Sequence, residues 1–316
     1  MKQPLIILTG PTAVGKTKLS IALAKAVNGE IISADSMQVY KRMTIGTAKI
    51  LPDEMQGVPH HLIDILEPSE EFNVVLFAKY AKEAIKKCYE NGKIPILVGG
   101  TGFYIQAVLY DIDFTENDDD KSYREELECI ANEEGAEVLH KKLQEVDDKA
   151  AKEIHPNNVK RVIRALEFYK KSGGQRISDH NEEQKQKESP YNYAYFVLND
   201  ERSTVYRRID KRVDIMLEQG LIEEVKALLE EGVSPASVSM QGLGYKEMVA
   251  YIQGECTLEE AVYVLKRDTR HFAKRQITWF KREDDVIWLN RPDFEGKEEK
   301  ILDAMLNTLK EKEITK

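Results

Sequence analysis

The chain is poor in cysteine, has no apolar run long enough to cross a bilayer and carries no excess of positive charge, and each shortage closes a class of function. Three cysteines in 316 residues, Cys88, Cys129 and Cys256, stand too far apart to form a C-x-x-C pair. An odd count does not suit a disulfide framework either, so a reducing, cytoplasmic setting is expected and a zinc ribbon is not. Met1-Lys2-Gln3-Pro4 leads straight into apolar residues 5–8, too few for a signal sequence, and the protein is expected to be neither exported nor embedded in a membrane. With 46 Lys and Arg against 55 Asp and Glu, the net charge of −9 excludes a globally basic nucleic-acid coat. There is no internal repeat. His60 and His61, with Asp64 nearby, make no metal site by spacing, because adjacent histidines do not easily reach one ion and no third strong ligand follows at a recognised interval. A structural or loop role is expected for them.

What is present is a globular composition, 42% hydrophobic and 32% charged with a mean hydropathy of −0.47, in a chain long enough to bury a full core without disulfide or metal. Residues 5–8 read as a buried strand, and behind them Leu19, Ala22, Leu23 and Ala26 fall on one helical face. Short apolar runs at 31–34, 94–98, 193–198 and 286–289 alternate with helical stretches such as 77–89. That alternation predicts an α/β fold with a parallel sheet covered on both faces. From about residue 113 to 173 the periodicity is helical without a strand run, and a polar, glycine-containing segment at 172–190 closes it. The expected division is a core of residues 1–112 and 191–316, ending in a helical region, and a mainly helical insertion domain at 113–190. Thr257-Leu258-Glu259-Glu260 is a capping-box pattern opening a helix that runs to Phe280.

Gly10-Pro11-Thr12-Ala13-Val14-Gly15-Lys16-Thr17 matches G-x-x-x-x-G-K-[ST] and lies between a strand and a helix, as that motif requires. The glycines let backbone N–H groups turn inward, the helix N-terminus adds positive potential, Lys16 supplies a point charge and Thr17 a ligand for Mg²⁺. A di- or triphosphate is the expected ligand, and the sheet becomes P-loop NTPase-like. Two further strand runs end in Ser33-Ala34-Asp35-Ser36-Met37-Gln38-Val39-Tyr40 and in Gly99-Gly100-Thr101-Gly102-Phe103-Tyr104. Ligands of open α/β sheets collect at such ends. Asp35 brings an acid to the phosphate loop, and reads equally as a helix N-cap or a Mg²⁺ carboxylate. The three glycines around Thr101 would allow close backbone approach to a ligand, with the Thr101 hydroxyl offered to it.

The charge is unevenly spread. Residues 113–153 hold fifteen acids and six bases, so that segment alone sums to −9 and the other 275 residues to zero. Lys266, Arg267, Arg270, Lys274, Arg275, Lys281 and Arg282 lie in one stretch with a single acid, Asp268. On a helix, Leu258, Val262, Leu265, Thr269, Phe272, Gln276 and Phe280 share a face, and Lys266, Arg270, Lys274 and Lys281 form a stripe away from it. A solvated face usually mixes signs and this one does not, which favours contact with a phosphate backbone. Smaller clusters at Arg202, Arg207, Arg208, Lys211 and Arg212, and at Lys160, Arg161 and Arg164, point the same way. The acidic segment is expected to turn its charge away from the nucleic acid, and residues 160–164 toward it.

With these residues assembled, the chain resembles the bacterial tRNA dimethylallyltransferases, or tRNA isopentenyltransferases, over nearly its whole length. The runs that carry the resemblance are GPTAVGKT from Gly10, SADSMQVYKRMTIGTAK from Ser33, HHLIDI from His60, LVGGTGFYI from Leu97, RALEFY from Arg164, QGLGYKE from Gln241 and KRQITWFKR from Lys274. The resemblance implies transfer of a dimethylallyl group from dimethylallyl diphosphate to N6 of the adenosine 3′ of the anticodon, in tRNAs reading codons that begin with U. It implies Mg²⁺ as cofactor; a monomer is expected. It assigns the donor's diphosphate to the loop from Gly10 to Thr17, although the motif alone would suggest ATP. Asp35 becomes the general base on the adenine amine and Thr101 a contact to the same base, while Lys16, Thr17 and either Arg208 or Arg212 meet the leaving diphosphate. Contacts to tRNA, chiefly its anticodon stem-loop, are implied for Asp35, Ser36, Met37 and Gln38, for Thr101 and Arg124, and for Lys160, Arg161, Val162, Ile163 and Arg164. They are implied as well for Gln241, Gly242, Leu243, Gly244, Tyr245 and Lys246, and for Lys274, Arg275, Gln276, Trp279 and Lys281. The cysteine pairs of the zinc finger that eukaryotic members append are missing. Two other readings stay open: a small-molecule or nucleoside kinase in which the same loop binds ATP, and a non-catalytic RNA-binding protein switched by a nucleotide.

Overall fold

The computed structural model describes residues 2–113 and 122–315; residues 114–121, which belong to the acidic segment, lie outside the described residues. In chain order the elements are β1 (Gln3–Thr9), α1 (Lys16–Val27), β2 (Gly29–Ala34), β3 (His60–His61), α2 (Val74–Glu90), β4 (Ile94–Gly99) and α3 (Gly102–Leu109). Five helices follow, α4 (Ser122–Glu133), α5 (Ala136–Val146), α6 (Asp148–Glu153), α7 (Val159–Lys171) and α8 (Ile177–Lys185). The chain ends with β5 (Tyr191–Asn199), α9 (Arg202–Glu218), α10 (Leu221–Glu230), α11 (Tyr245–Ile252), α12 (Leu258–Phe280), β6 (Val286–Asn290) and α13 (Glu298–Glu311). It divides into two compact units, Met1–Leu109 with Pro190–Lys316, and Tyr110–Ser189.

The first unit is built on a six-stranded sheet in the order β3-β2-β4-β1-β5-β6, parallel at every pairing. Leu5, Ile6, Ile7 and Leu8 are all fully buried, so both faces of β1 are covered and the run is continuously apolar instead of alternating. On one face α1 and α13 bring Leu19, Ile21, Leu23, Ile301, Met305 and Leu309 into one core. Pressed by the sheet and by α13, α1 buries a sector centred on Leu23 and Ala24, and Ala26, expected on the buried face, is exposed. On α2, Phe77 stacks on Tyr104 of α3 at 4.4 Å. Strand β3 has only two residues, too few for an apolar run to announce it. The capping box of α12 forms as its sequence demands: Thr257 Oγ1 accepts from the Glu260 N–H (3.2 Å) and Glu260 Oε2 from the Thr257 N–H (2.9 Å).

The described elements of the second unit are all helices, packed around Leu127, Leu139, Leu143, Val162, Ile163 and Leu166. The polar segment at 172–190 is not simply a loop, because α8 lies within it. Buried Asp147 explains that helix's position: Oδ1 accepts from the Ala150 N–H (2.9 Å) to cap α6 and from Ser178 Oγ (2.7 Å), and Oδ2 accepts from the Ser178 N–H (3.0 Å).

Candidate functional site

The register of the sheet assembles the site. Thr9 lies beside Gly99, and Gly99 beside Ala34, so β1, β4 and β2 end level with one another. The residues that follow are the phosphate loop from Gly10, the turn at Gly100 and Thr101, and Asp35. At the usual strand spacing they span about 10 Å.

The loop turns through positive φ at Gly10 (141°), Ala13 (62°) and Gly15 (99°). A Cβ on Gly10 would sit 2.1 Å from the Leu198 carbonyl oxygen, and at Gly15 the φ of 99° itself disfavours any side chain, so both positions call for glycine. Ala13 packs on Val205, Ile209 and Ala273, and Val14 is fully buried. Side chains therefore fasten the loop from below while its backbone lines the cradle. Lys16 Nζ donates to the carbonyls of Gly10 and Pro11, 2.9 Å each. Burial and, second, the charge of Arg212 push its ammonium down to about 7, with Asp35 pulling the other way. Thr17 is exposed, and its hydroxyl has no hydrogen-bond partner among the described residues.

The two arginines left open by the sequence separate clearly. Arg212 Nη1 lies 3.4 Å from Thr12 Oγ1 on the loop, and burial lowers its pKa. Arg208, about 6 Å away along α9, is exposed and donates to Asp200 Oδ2 at 2.8 Å. It is therefore not at the phosphate loop.

Asp35 is neither a helix N-cap nor a free acid. Its Oδ1 accepts from the N–H groups of Met37 (2.8 Å) and Gln38 (3.3 Å), closing a turn, and Oδ2 has no hydrogen-bond partner among the described residues. The Thr101 N–H reaches the Ala34 carbonyl (3.4 Å), and the Thr101 carbonyl accepts the first bonds of α3. The glycines around Thr101 are hemmed in by protein. Added Cβ atoms would meet the Ala34 carbonyl oxygen at Gly99 (2.1 Å), Gln276 Nε2 at Gly100 (2.2 Å) and Trp279 Cδ1 at Gly102 (2.2 Å).

Several residues expected at RNA are engaged elsewhere. Gln276 is buried; its Oε1 accepts from the Thr12 N–H (2.9 Å) and its Nε2 donates to the Gly100 carbonyl (3.0 Å), so one amide joins the phosphate loop to the β4 turn. Trp279 lies over Gly102 and meets exposed Phe103 edge-on at 6.2 Å. Tyr245 is fully buried and Gly244 is buried beside it. Tyr245 Oη donates to Glu224 Oε1 (2.6 Å), and the Glu224 carboxylate also accepts from the N–H groups of Thr44, Ile45 and Gly46. Glu224, unremarked in the sequence, thus anchors the chain that follows the Asp35 turn, and Gly242 abuts Met37 of that turn. Gln241 is exposed with its amide on the Pro235 carbonyl, Leu243 is half-buried, and Lys246 is exposed. Ser36 and Gln38 are half-buried, and Gln38 bonds to Ser33 Oγ (3.2 Å). Lys274, Arg275 and Lys281 are exposed and make no ion pair among the described residues. In the second unit Val162 and Ile163 are buried in its core, and Arg124 is bidentate on buried Glu167 (3.1 and 2.6 Å); Lys160 and Arg161 are exposed and Arg164 half-buried. Arg291 was also missed: it donates from Nε to the Val14 carbonyl (2.9 Å), supporting the loop from just beyond β6.

The chain as a whole has relatives. The family model described as IPP transferase matches residues 38–283. A protein of Lachnoclostridium phytofermentans named tRNA dimethylallyltransferase is 65% identical, covering 99% of this chain and 100% of its own length. A Carboxydothermus hydrogenoformans protein of the same name is 52% identical, covering 97% of each. Among solved structures, the full-length tRNA isopentenylpyrophosphate transferase of Bacillus halodurans superposes with a TM-score of 0.74 at 48% identity, covering 99% of this chain and 98% of that one. A eukaryotic dimethylallyltransferase caught acting on tRNA superposes with a TM-score of 0.79 at 33% identity, over 91% of this chain and 74% of that one. Matched by the family model over most of its length and by relatives from end to end, this chain belongs to the IPP transferase family.

Proposed function

We propose that the chain transfers the dimethylallyl group of dimethylallyl diphosphate to N6 of the adenosine 3′ of the anticodon, position 37, in tRNAs reading codons that begin with U, and releases diphosphate. It is a tRNA dimethylallyltransferase, acting as a cytoplasmic monomer. One observation carries the chemistry: an anion cradle with Lys16 and Arg212 stands beside a carboxylate whose Oδ2 no described residue occupies. End-to-end identity with proteins of that name favours this reading over a kinase or a nucleotide-switched RNA-binding protein.

The exocyclic amine of adenine is a poor nucleophile, because its lone pair is delocalised into the ring. Asp35 Oδ2 would take the N6 proton as the N6–C1 bond forms and the C1–O bond to diphosphate breaks, a contribution on the order of 10²- to 10⁴-fold. The bonds from Met37 and Gln38 to Oδ1 hold the carboxylate's orientation while Oδ2 works. Loop N–H groups, Lys16 and Arg212 would stabilise the charge developing on the leaving diphosphate. Thr17, exposed and with its hydroxyl unpartnered among the described residues, fits a Mg²⁺ ligand, and Mg²⁺ would supply further charge neutralisation there. Thr101 would contact the adenine, extruded from the anticodon loop at a cost of about a few kcal/mol. Lys274, Arg275 and Lys281, with Lys160 and Arg161 of the second unit, would meet tRNA phosphates. Nucleoside mass analysis of tRNA incubated with the protein, dimethylallyl diphosphate and Mg²⁺ should show prenylated adenosine. Unmodified tRNA, with label moving from γ-labelled ATP instead, would refute the assignment.

A further inference from the structure

Away from the phosphate loop, three elements that are distant in sequence bring a carboxylate, an imidazole and a thiol together. Glu30 of β2 is 4% exposed and Cys88 of α2 is fully buried, while His61 of the edge strand β3 is half-buried. His61 Nε2 lies 2.7 Å from Glu30 Oε2, and Cys88 Sγ lies 3.6 Å from the same oxygen and 3.8 Å from the imidazole nitrogen. Tetrahedral zinc, with bonds of about 2.0 Å to O and N and about 2.3 Å to S, needs edges of about 3.3 Å between N and O and about 3.5 Å between S and either. Both sulfur edges are already within about 0.3 Å of that, and only the N···O edge must open, by about 0.6 Å. His61 also lines a depression of about 540 Å³ with Tyr80, Glu83 and Lys87, so that the imidazole side of the cluster faces a hollow while Glu30 and Cys88 lie behind it.

We propose that Glu30, His61 and Cys88 bind one Zn²⁺ through Oε2, Nε2 and Sγ, with water from the depression as fourth ligand. Thiolate, imidazole and carboxylate together suit zinc better than the hard cation expected at the phosphate loop. On binding, Cys88 releases its proton to solvent and His61 serves as neutral imidazole with its proton on Nδ1. Because the thiolate and not the thiol is the ligand, metal binding is coupled to loss of the Cys88 proton. The ion would clip a two-residue edge strand to β2 and α2, with Ile31 and Ile32 of β2 paired to His60 and His61. Its effect is on stability and not on the transfer reaction.

The test uses the full chain carrying Cys129→Ser and Cys256→Ser, so that Cys88 is the only thiol. Titration of chelator-treated protein with Co²⁺ should give one ion per chain and a thiolate-to-metal charge-transfer band that Zn²⁺ abolishes, and Zn²⁺ should raise the melting temperature. Cys88→Ser, checked for folding by circular dichroism, should lose the band and the thermal shift, and His61→Gln should weaken binding at least tenfold. Alkylation of Cys88 without substitution gives an independent measure, because bound Zn²⁺ should slow it. Absence of the band in folded protein, a band that survives Cys88→Ser, or alkylation indifferent to Zn²⁺ would overturn the proposal.

Discussion

Diphosphate binding should draw a proton onto Lys16. In the free protein its ammonium, ordinarily at 10.5, is held at about 7 by burial and by Arg212, and its Nζ bonds only to neutral carbonyls. A diphosphate in the cradle supplies the missing countercharge and returns the pKa toward its ordinary value. At pH 8 the free lysine is about one-tenth protonated and the bound one almost fully so, giving an uptake of about 0.9 proton; at pH 6 the uptake falls to about 0.1. Between pH 7 and 9 this linkage alone should weaken diphosphate binding about 50-fold. Calorimetry in two buffers of different ionisation heat measures the uptake directly. Lys16→Arg, which stays charged throughout, reports the protons taken up by the ligand itself. Equal uptake at pH 8 in wild type and Lys16→Arg would refute the reasoning.

Asp35→Asn keeps the turn acceptor but removes the base, so single-turnover prenyl transfer should fall at least about 100-fold with tRNA affinity little changed; near-normal rates would remove Asp35 from the chemistry. Arg212→Met should raise the Kd for dimethylallyl diphosphate about 10- to 100-fold, and Arg208→Met should change it less than about twofold, by equilibrium binding. Glu283 is buried, accepts from Gln106 Nε2 (3.0 Å), and is pushed up to about 7 by that burial. Because its folded pKa is raised, the stability linked to its neutral form is full below the ordinary range near 4.5 and is lost as pH rises through about 7. Glu283→Gln should therefore melt higher than wild type at pH 8, by up to about 3 kcal/mol of stability, with the difference closing toward pH 5; a pH-independent difference would contradict this.

Five of the six strands were legible because a parallel strand buried on both faces leaves a continuous apolar run, as residues 5–8 do. β3 was not, since two histidines pairing with Ile31 and Ile32 carry no periodic signal. The phosphate loop could be placed at a strand end from its spacing alone, and register then explains why Asp35 and Thr101 stand beside it. What spacing could not show is contact between distant residues. Nothing in the sequence near Gly100 and Gly102 says that Gln276 and Trp279, some 175 residues on, lie where a side chain at either position would go. Val162, Ile163 and Tyr245 fall inside basic or motif-rich runs, yet helical periodicity turns their side chains into the core. Arg291 and Glu224 lacked any motif, although Arg291 just follows a strand run on the same sheet edge.

The basic helix shows the same limit, and yields a sharper test of RNA contact. Its sequence contains one acid, which suggested a face of unmixed sign, but the acids come from α9. Lys266 pairs with Asp214 and Arg270 with Asp210, 2.5 Å each, two bases one turn apart meeting two acids one turn apart. Such partly exposed pairs contribute about 1 kcal/mol or less apiece, but they set α12 against α9, and these helices carry Gln276 and Arg212 to the phosphate loop. The bases of α12 and of the two residues after it therefore fall into three groups: Lys266 and Arg270, which dock on α9; Arg267, which pairs with Asp268 of its own helix; and Lys274, Arg275, Lys281 and Arg282, which are exposed without an ion pair among the described residues. The last group carries no carboxylate partner among the described residues, so it is the one set to release counterions from RNA. Replacing Lys274 and Arg275 with Ala should weaken tRNA binding and reduce the slope of log K against log salt by about 1.5 to 2, whereas replacing Lys266 and Arg270 should lower the melting temperature and leave the slope alone. A slope that responds to the docking pair, or ignores the exposed pair, would mean that tRNA approaches by another face.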